Sequence, residues 1–197
     1  MNTYREMVLE RQEPLRERYR SEPDGAWITD KARTVGDAGL DPFHTAVVAG
    51  DGEEVPWRVG IHRAVGGFHD LPNPGDILCA ALASCLGTTL RLIAARLGVP
   101  VQDFEVHVIG NVDVRGTLAV DRQVPVGFQK ITCQLHWRLS EGVTSEQAAR
   151  LAAAAERACV VLQTLRNGVP VSLALDNVSD SSGAFFPERH IGPVTTS

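Results

Sequence analysis

The chain has 197 residues, 44% of them hydrophobic and 22% charged, and a formal net charge of -5. That is the composition of an ordinary globular domain, with room for one sizeable core and a small extension. The acidic balance and the lack of a Lys/Arg cluster argue against nucleic-acid binding. The N-terminus shows no apolar signal segment, and the most apolar stretch, Ile77 to Leu90, is short for a bilayer and runs into Arg91 and Arg96, so a cytoplasmic protein that engages no membrane is expected.

Residues 1–25 read as an N-terminal helical arm, 26–176 as one α+β domain and 177–197 as a polar C-terminal tail. The arm, TYREMVLERQEPLRERYR, is rich in charge and in helix formers, faces solvent and is interrupted by Pro14. From Ala26 to Arg63 the pattern changes. AWITDKARTV, FHTAVVAG and VPWRVGIHR are β-branched and aromatic segments, separated by the turn-rich GDAGLDP and GDGEE. They predict three strands of an antiparallel meander.

A loop, AVGGFHDLPNPGD, leads to a long helix over about Gly75 to Leu97, with Pro74 at its start and Gly98 and Pro100 beyond its end. Its first half, ILCAALASCLGTTL, is apolar on nearly every face, so the helix is expected to be buried all round. A second subunit would make that burial easier. Two strands follow, DFEVHVIGNVDV and FQKITCQLHWRL, each alternating apolar and polar residues. Thr144 with Gln147 forms a capping box that opens a second helix, which Asn167-Gly168 closes, and PVSLAL reads as a last strand. The predicted order is β-β-β-α-β-β-α-β, antiparallel sheets with two central helices.

The four cysteines, Cys79, Cys85, Cys133 and Cys159, form no CxxC pair and have no His at ligand spacing, so neither a metal nor a cofactor is expected. Cys85 lies mid-helix, beyond the reach of the helix dipole, and a lowered pKa there needs a nearby cation. Core filler and reactive thiol both remain open for Cys85 and for Cys159. Cys79 is about 240° around the helix from Cys85, so the two do not share a face; Cys79 and Cys133 read as core. Among the six histidines, His62 and His69 flank the loop before the helix, while His107 and His136 fall on polar strand faces.

LPNPGDILCAALASCLGTTLRLIAARLGV resembles the first cysteine helix of the OsmC/Ohr proteins, and AERACVVLQTLRNGVPV resembles the second. The strand pair between them, with DVRG and PVGFQKI, fits as well, so the resemblance covers about residues 26–176. It implies an OsmC-like fold, an intertwined homodimer with sites at the subunit interface, and thiol-dependent reduction of organic hydroperoxides. It also implies Cys85 as the peroxidatic cysteine, Cys159 as the resolving one and an external dithiol as reductant.

Two features depart from that pattern. Where such peroxidases carry Glu directly after Asn-Pro, this chain has Gly75, and Asp76 lies about 180° from Cys85 on an ideal helix. The turn that usually supplies a catalytic Arg reads Gly36-Asp37-Ala38-Gly39-Leu40-Asp41, which leaves Arg33, Arg58 and Arg63 as substitutes. An alternative is a non-peroxidatic protein of the same fold that holds a small hydrophobic molecule in the interface pocket.

Overall fold

The structure, a computed structural model, describes residues 3–35, 41–50 and 55–175. The expected tail, and most of the 36–41 turn, lie outside those residues.

Helix α1 (Thr3–Ser21) runs straight through Pro14, contrary to the interruption expected there. Proline forfeits one helical hydrogen bond and crowds the carbonyl four residues earlier. That carbonyl belongs to Glu10, an exposed position where water can take the freed acceptor. α1 is not simply a free arm. Arg96 donates through Nη2 to Glu13 Oε1 at 2.5 Å and through Nη1 to Gln12 Oε1 at 3.3 Å, which ties α1 to the long helix of the domain.

Strands β1 (Ala32–Val35), β2 (Thr45–Ala49) and β3 (Trp57–Val59) form the expected antiparallel meander, shorter than the segments read from sequence. Arg33 stands opposite Val48 and Arg58 opposite Ala46. The following loop turns tightly. A Cβ on Gly67 would collide with the Ile61 backbone, so only glycine fits.

Helix α2 (Pro74–Leu97) starts where Pro74 predicts it. Asn73 caps it by accepting from the Gly75 and Asp76 N–H groups, and the Asp76 carboxylate accepts from Asn73 N at 3.0 Å. Gly98, with φ 69°, closes it in the left-handed conformation. The expectation of all-round burial fails in the single chain. Only a stripe of Leu82, Gly87, Leu90 and Ala94 is buried. The helix also exceeds the apolar stretch read from sequence: at 24 residues it is, among the described residues, the one helix long and apolar enough to cross a membrane. Its buried stripe, however, packs in a mixed fold against β4 and the helices after β5.

β4 (Val101–Val112) and β5 (Phe128–Leu139) make a long antiparallel ribbon, with the short helix α3 (Val114–Thr117) in their connection. Phe104 pairs with Trp137, Val106 with Leu135 and Val108 with Cys133. Strand alternation puts these apolar pairs on one face, and that face meets α2. The opposite face carries Glu105, His107 and His136, exposed as the polar phase predicts.

The second central helix is not one helix. The Thr144 capping box forms, but α4 (Ser145–Ala158) stops at Cys159, whose φ of -76° and ψ of 107° are extended, and α5 (Val160–Asn167) restarts beyond it. Leu151 and Ala155 of α4 join Leu90 and Ala94 in one core cluster; Leu162 of α5 joins Leu82 and Cys159 in a second.

The last expected strand, PVSLAL, forms no ladder among the described residues. Val171, Leu173 and Leu175 are 90%, 87% and 85% exposed. A strand needs a neighbour for its backbone groups, and the described residues of one chain offer none.

Candidate functional site

Cys85 projects from the middle of α2 and Cys159 sits at the α4–α5 break. The fold brings them together: Cys85 packs against the buried cluster of Leu82, Cys159 and Leu162, and its thiol is an electrostatic neighbour of Cys159. Both are free thiols. Cys159 is 0% exposed, and Cys85 is half-buried against the same cluster, with Leu82, Leu86 and Leu162 around the pair. The break matters to this meeting. An extended residue at 159 turns the chain between two helices and sets its side chain into the seam with α2. Sequence periodicity, which reads a continuous helix, misses it.

Burial holds the Cys159 thiol above its ordinary value. The N–H groups of Leu162 and Val161 favour the thiolate and oppose that shift, while the neighbouring Cys85 thiol adds to it. At neutral pH Cys159 is therefore a protonated thiol.

The arginines considered from sequence are placed elsewhere. Arg33 lies on β1, Arg58 on β3 and Arg63 in the short 3-10 turn Arg63–Val65, all exposed. Among the described residues, no arginine is among the groups that shift Cys159, and Arg58 acts on Asp70. The Asp76 carboxylate is committed to its cap, accepting from Asn73 N and Nδ2.

A cation missed by sequence reasoning does reach the cysteine cluster. Arg166 Nη1 pairs with Glu156 Oε1 at 2.5 Å, and its charge acts on Cys133. The signal was available: Leu162 and Arg166 are four residues apart on α5, one stripe of a helix. Nearer the meander, His44 Nδ1 contacts Asp41 Oδ2 at 2.5 Å and its Nε2 contacts both Asp70 oxygens at 3.2 Å. The His62 and His69 rings meet edge to face with centroids 4.4 Å apart. Among the described residues, no group of three or more His, Cys, Asp or Glu side chains could hold a metal ion.

A cavity of about 770 Å³ opens between α1, the C-terminal half of α2 and β4, lined by Met7, Val8, Leu90, Ala94, Val101 and Phe104 among others. Neither Cys85 nor Cys159 lines it.

The profile of the OsmC-like protein family matches residues 67–174, more than half of the chain, with both cysteine elements inside the match. The chain belongs to the OsmC-like family. Solved structures agree with that fold. An organic hydroperoxide resistance protein OsmC from Legionella pneumophila superposes with a TM-score of 0.52 at 22% identity, covering 72% of this chain and 91% of its own. An organic hydroperoxide resistance protein from Elizabethkingia anophelis gives 0.53 at 21% identity, covering 73% and 91%. An OsmC-like protein of unknown function from Vibrio cholerae gives 0.56 at 12% identity, covering 70% and 94%. At such identities the likeness establishes the OsmC-like fold. No curated protein matches the chain. α1 precedes the family match altogether.

Proposed function

We propose that this OsmC-like protein reduces organic hydroperoxides through Cys85, with Cys159 as the resolving thiol. The observation that carries the reading is the packing of Cys85 against the Cys159 cluster, made across separate elements in an apolar seam. A Cys85 thiolate attacks the distal peroxide oxygen. The O–O bond breaks, the alkoxide leaves and takes a proton as the alcohol, and Cys85 becomes a sulfenic acid. The Cys159 thiol then condenses with it to a disulfide and releases water. An external dithiol restores both thiols by exchange. The seam suits an alkyl hydroperoxide, whose apolar tail is stabilised by Leu82, Leu86 and Leu162.

The reading includes a homodimer. In one chain α2 keeps apolar faces uncovered, and Val171, Leu173 and Leu175 are exposed without a strand partner. A second copy would cover both. It would also bring the meander of one subunit, with Arg33, Arg58 and Arg63, towards the thiols of the other and supply the cation that Cys85 needs.

The test is titration with cumene hydroperoxide while free thiols and non-reduced peptides are followed. The expected product is a Cys85–Cys159 disulfide, absent in Cys85→Ser. Equal peroxide consumption by Cys85→Ser would sink the reading.

A second reading, storage or transport of a small hydrophobic molecule, is favoured by the cavity between α1, α2 and β4. Saturable binding of an apolar fluorescent probe, weakened by Leu90→Trp, with thiols inert to hydroperoxide, would select it.

A further inference from the structure

The peroxide chemistry leaves Cys79 and Cys133 unused, and composition assigns both to the core. Their placement is more specific. In the β4–β5 ladder Gly110 stands opposite Ile131 and Val108 opposite Cys133, so Gly110 and Cys133 are diagonal neighbours on the face that meets α2. Diagonal neighbours lie about 7 Å apart. Cys79, on α2, lies beside Gly110: a Cβ there would collide with the Phe128 ring and sit 3.2 Å from Cys79 Sγ. On its other side Cys133 packs against the cluster of Leu82, Cys159 and Leu162. Cys133 thus stands between Cys79 and the Cys85–Cys159 pair. Arg166, four residues beyond Leu162 on α5 and held by Glu156, is the cation of this corner.

We propose that Cys79 and Cys133 form a second redox dithiol, which takes up oxidation from a Cys85–Cys159 disulfide by thiol–disulfide exchange. The exchange rests on the peroxide reading; the dithiol itself does not. Cys133 loses its proton and attacks Cys159 Sγ. The Cys85–Cys159 bond breaks, and Cys85 leaves as a thiolate and is protonated. Cys79 then loses its proton and attacks Cys133 Sγ, which forms the Cys79–Cys133 bond and releases Cys159, protonated in turn. Two thiols are oxidised and one disulfide is reduced, so no further oxidant is consumed. A disulfide needs Cβ atoms about 3.8 Å apart, so Cys79 must move from its place beside Gly110 towards Cys133 as the bond closes. Burial pushes the Cys133 thiol up while the Arg166 guanidinium works against that shift, so the exchange quickens as pH rises through the neutral range. The product would tie α2 covalently to the sheet while the peroxide-reactive pair returns to thiols.

Two arms test this separately. The Cys85→Ser/Cys159→Ser protein, or the double alanine variant if buried serines unfold it, is treated with oxidised glutathione in the native state. Loss of both remaining thiols, with a Cys79–Cys133 linked peptide and no retained glutathione, is expected. Glutathione left on Cys133 beside a free Cys79, or no reaction at either, overturns the dithiol. In the second arm the full chain receives one equivalent of cumene hydroperoxide. The Cys79–Cys133 link should grow as the Cys85–Cys159 link declines, and Cys133→Ser should freeze oxidation at Cys85–Cys159. A stable Cys85–Cys159 link in the full chain overturns the exchange while the peroxide reading stands. No thiol loss to hydroperoxide, with a positive first arm, overturns the peroxide reading and the exchange but keeps the dithiol.

Discussion

Leu82→Ala probes the seam that holds the thiols. Leu82 is 2% exposed and is the α2 residue around which Cys159 and Leu162 pack. The substitution removes three carbons, a transfer loss of about 2.4 kcal/mol at about 0.8 kcal/mol per buried carbon. The site cannot collapse freely, because α2 is held on β4 along one side and on α4 and α5 along the other. A residual cavity therefore adds to the cost, and a total of about 3–4 kcal/mol is expected. The assay is urea unfolding followed by far-UV circular dichroism, at one protein concentration for both proteins so that association does not enter the difference. Leu97→Ala, at the exposed end of the same helix, serves as control and should fall within about 0.5 kcal/mol of the parent. The variant should also expose Cys159, which is fully buried in the parent, to faster alkylation by iodoacetamide. A loss below about 1 kcal/mol at unchanged denaturant slope, with Cys159 no more reactive, would refute the packing argument.

Three further outcomes are expected. The His44 pKa is raised from 6.5, first by its hydrogen bond to Asp41 and then by that to Asp70, while both aspartates are lowered from 3.8 by His44. The histidine contribution is complete below about 6.5 and disappears as pH rises through its higher folded value, whereas the aspartate contribution is complete above about 3.8 and disappears on acidification through the lower folded values; His44→Gln should flatten the fall in Tm between pH 6 and 8, and an NMR titration placing His44 at or below 6.5 would contradict the geometry. Asn73→Ala removes the side-chain acceptor for the Gly75 and Asp76 N–H groups and should cost about 1 kcal/mol by chemical denaturation, against almost nothing if the cap is not formed. Gly110→Ala drives a methyl into the Phe128 ring and towards Cys79 Sγ, so a loss of about 1–3 kcal/mol is expected, and an unchanged unfolding midpoint would show that this face of the ladder is open.

Much of the fold was legible in local chemistry. Asn73-Pro74 and Gly98 mark both ends of α2, because a cap side chain, a preset proline φ and a left-handed glycine each act within a few residues. The alternation in β4 and β5 places Phe104, Val106 and Val108 opposite Trp137, Leu135 and Cys133, because a strand's faces follow its period of two. The Thr144–Gln147 box starts α4 for the same local reason. What failed involved distant partners. Pro14 does not interrupt α1, since Arg96 and the docking surface on α2 hold the helix across it. The 170–175 segment makes no strand, since pairing depends on a neighbour and not on β-branched content.

The candidate site divides along the same line. Sequence alone determined that Cys85 lies in an apolar helix and that Cys159 follows a second helical stripe, through periodicity and family resemblance. It also determined what is missing, a carboxylate at Gly75 and an arginine in the 36–41 turn. Only the tertiary structure decided that the two thiols meet, because their packing in one cluster depends on an extended residue at 159 and on how α5 lies against α2. It likewise decided that Cys133 has both Arg166 and Cys79 as electrostatic neighbours. Contacts between residues far apart in the chain are set by how the elements pack, and that packing is a property of the whole fold.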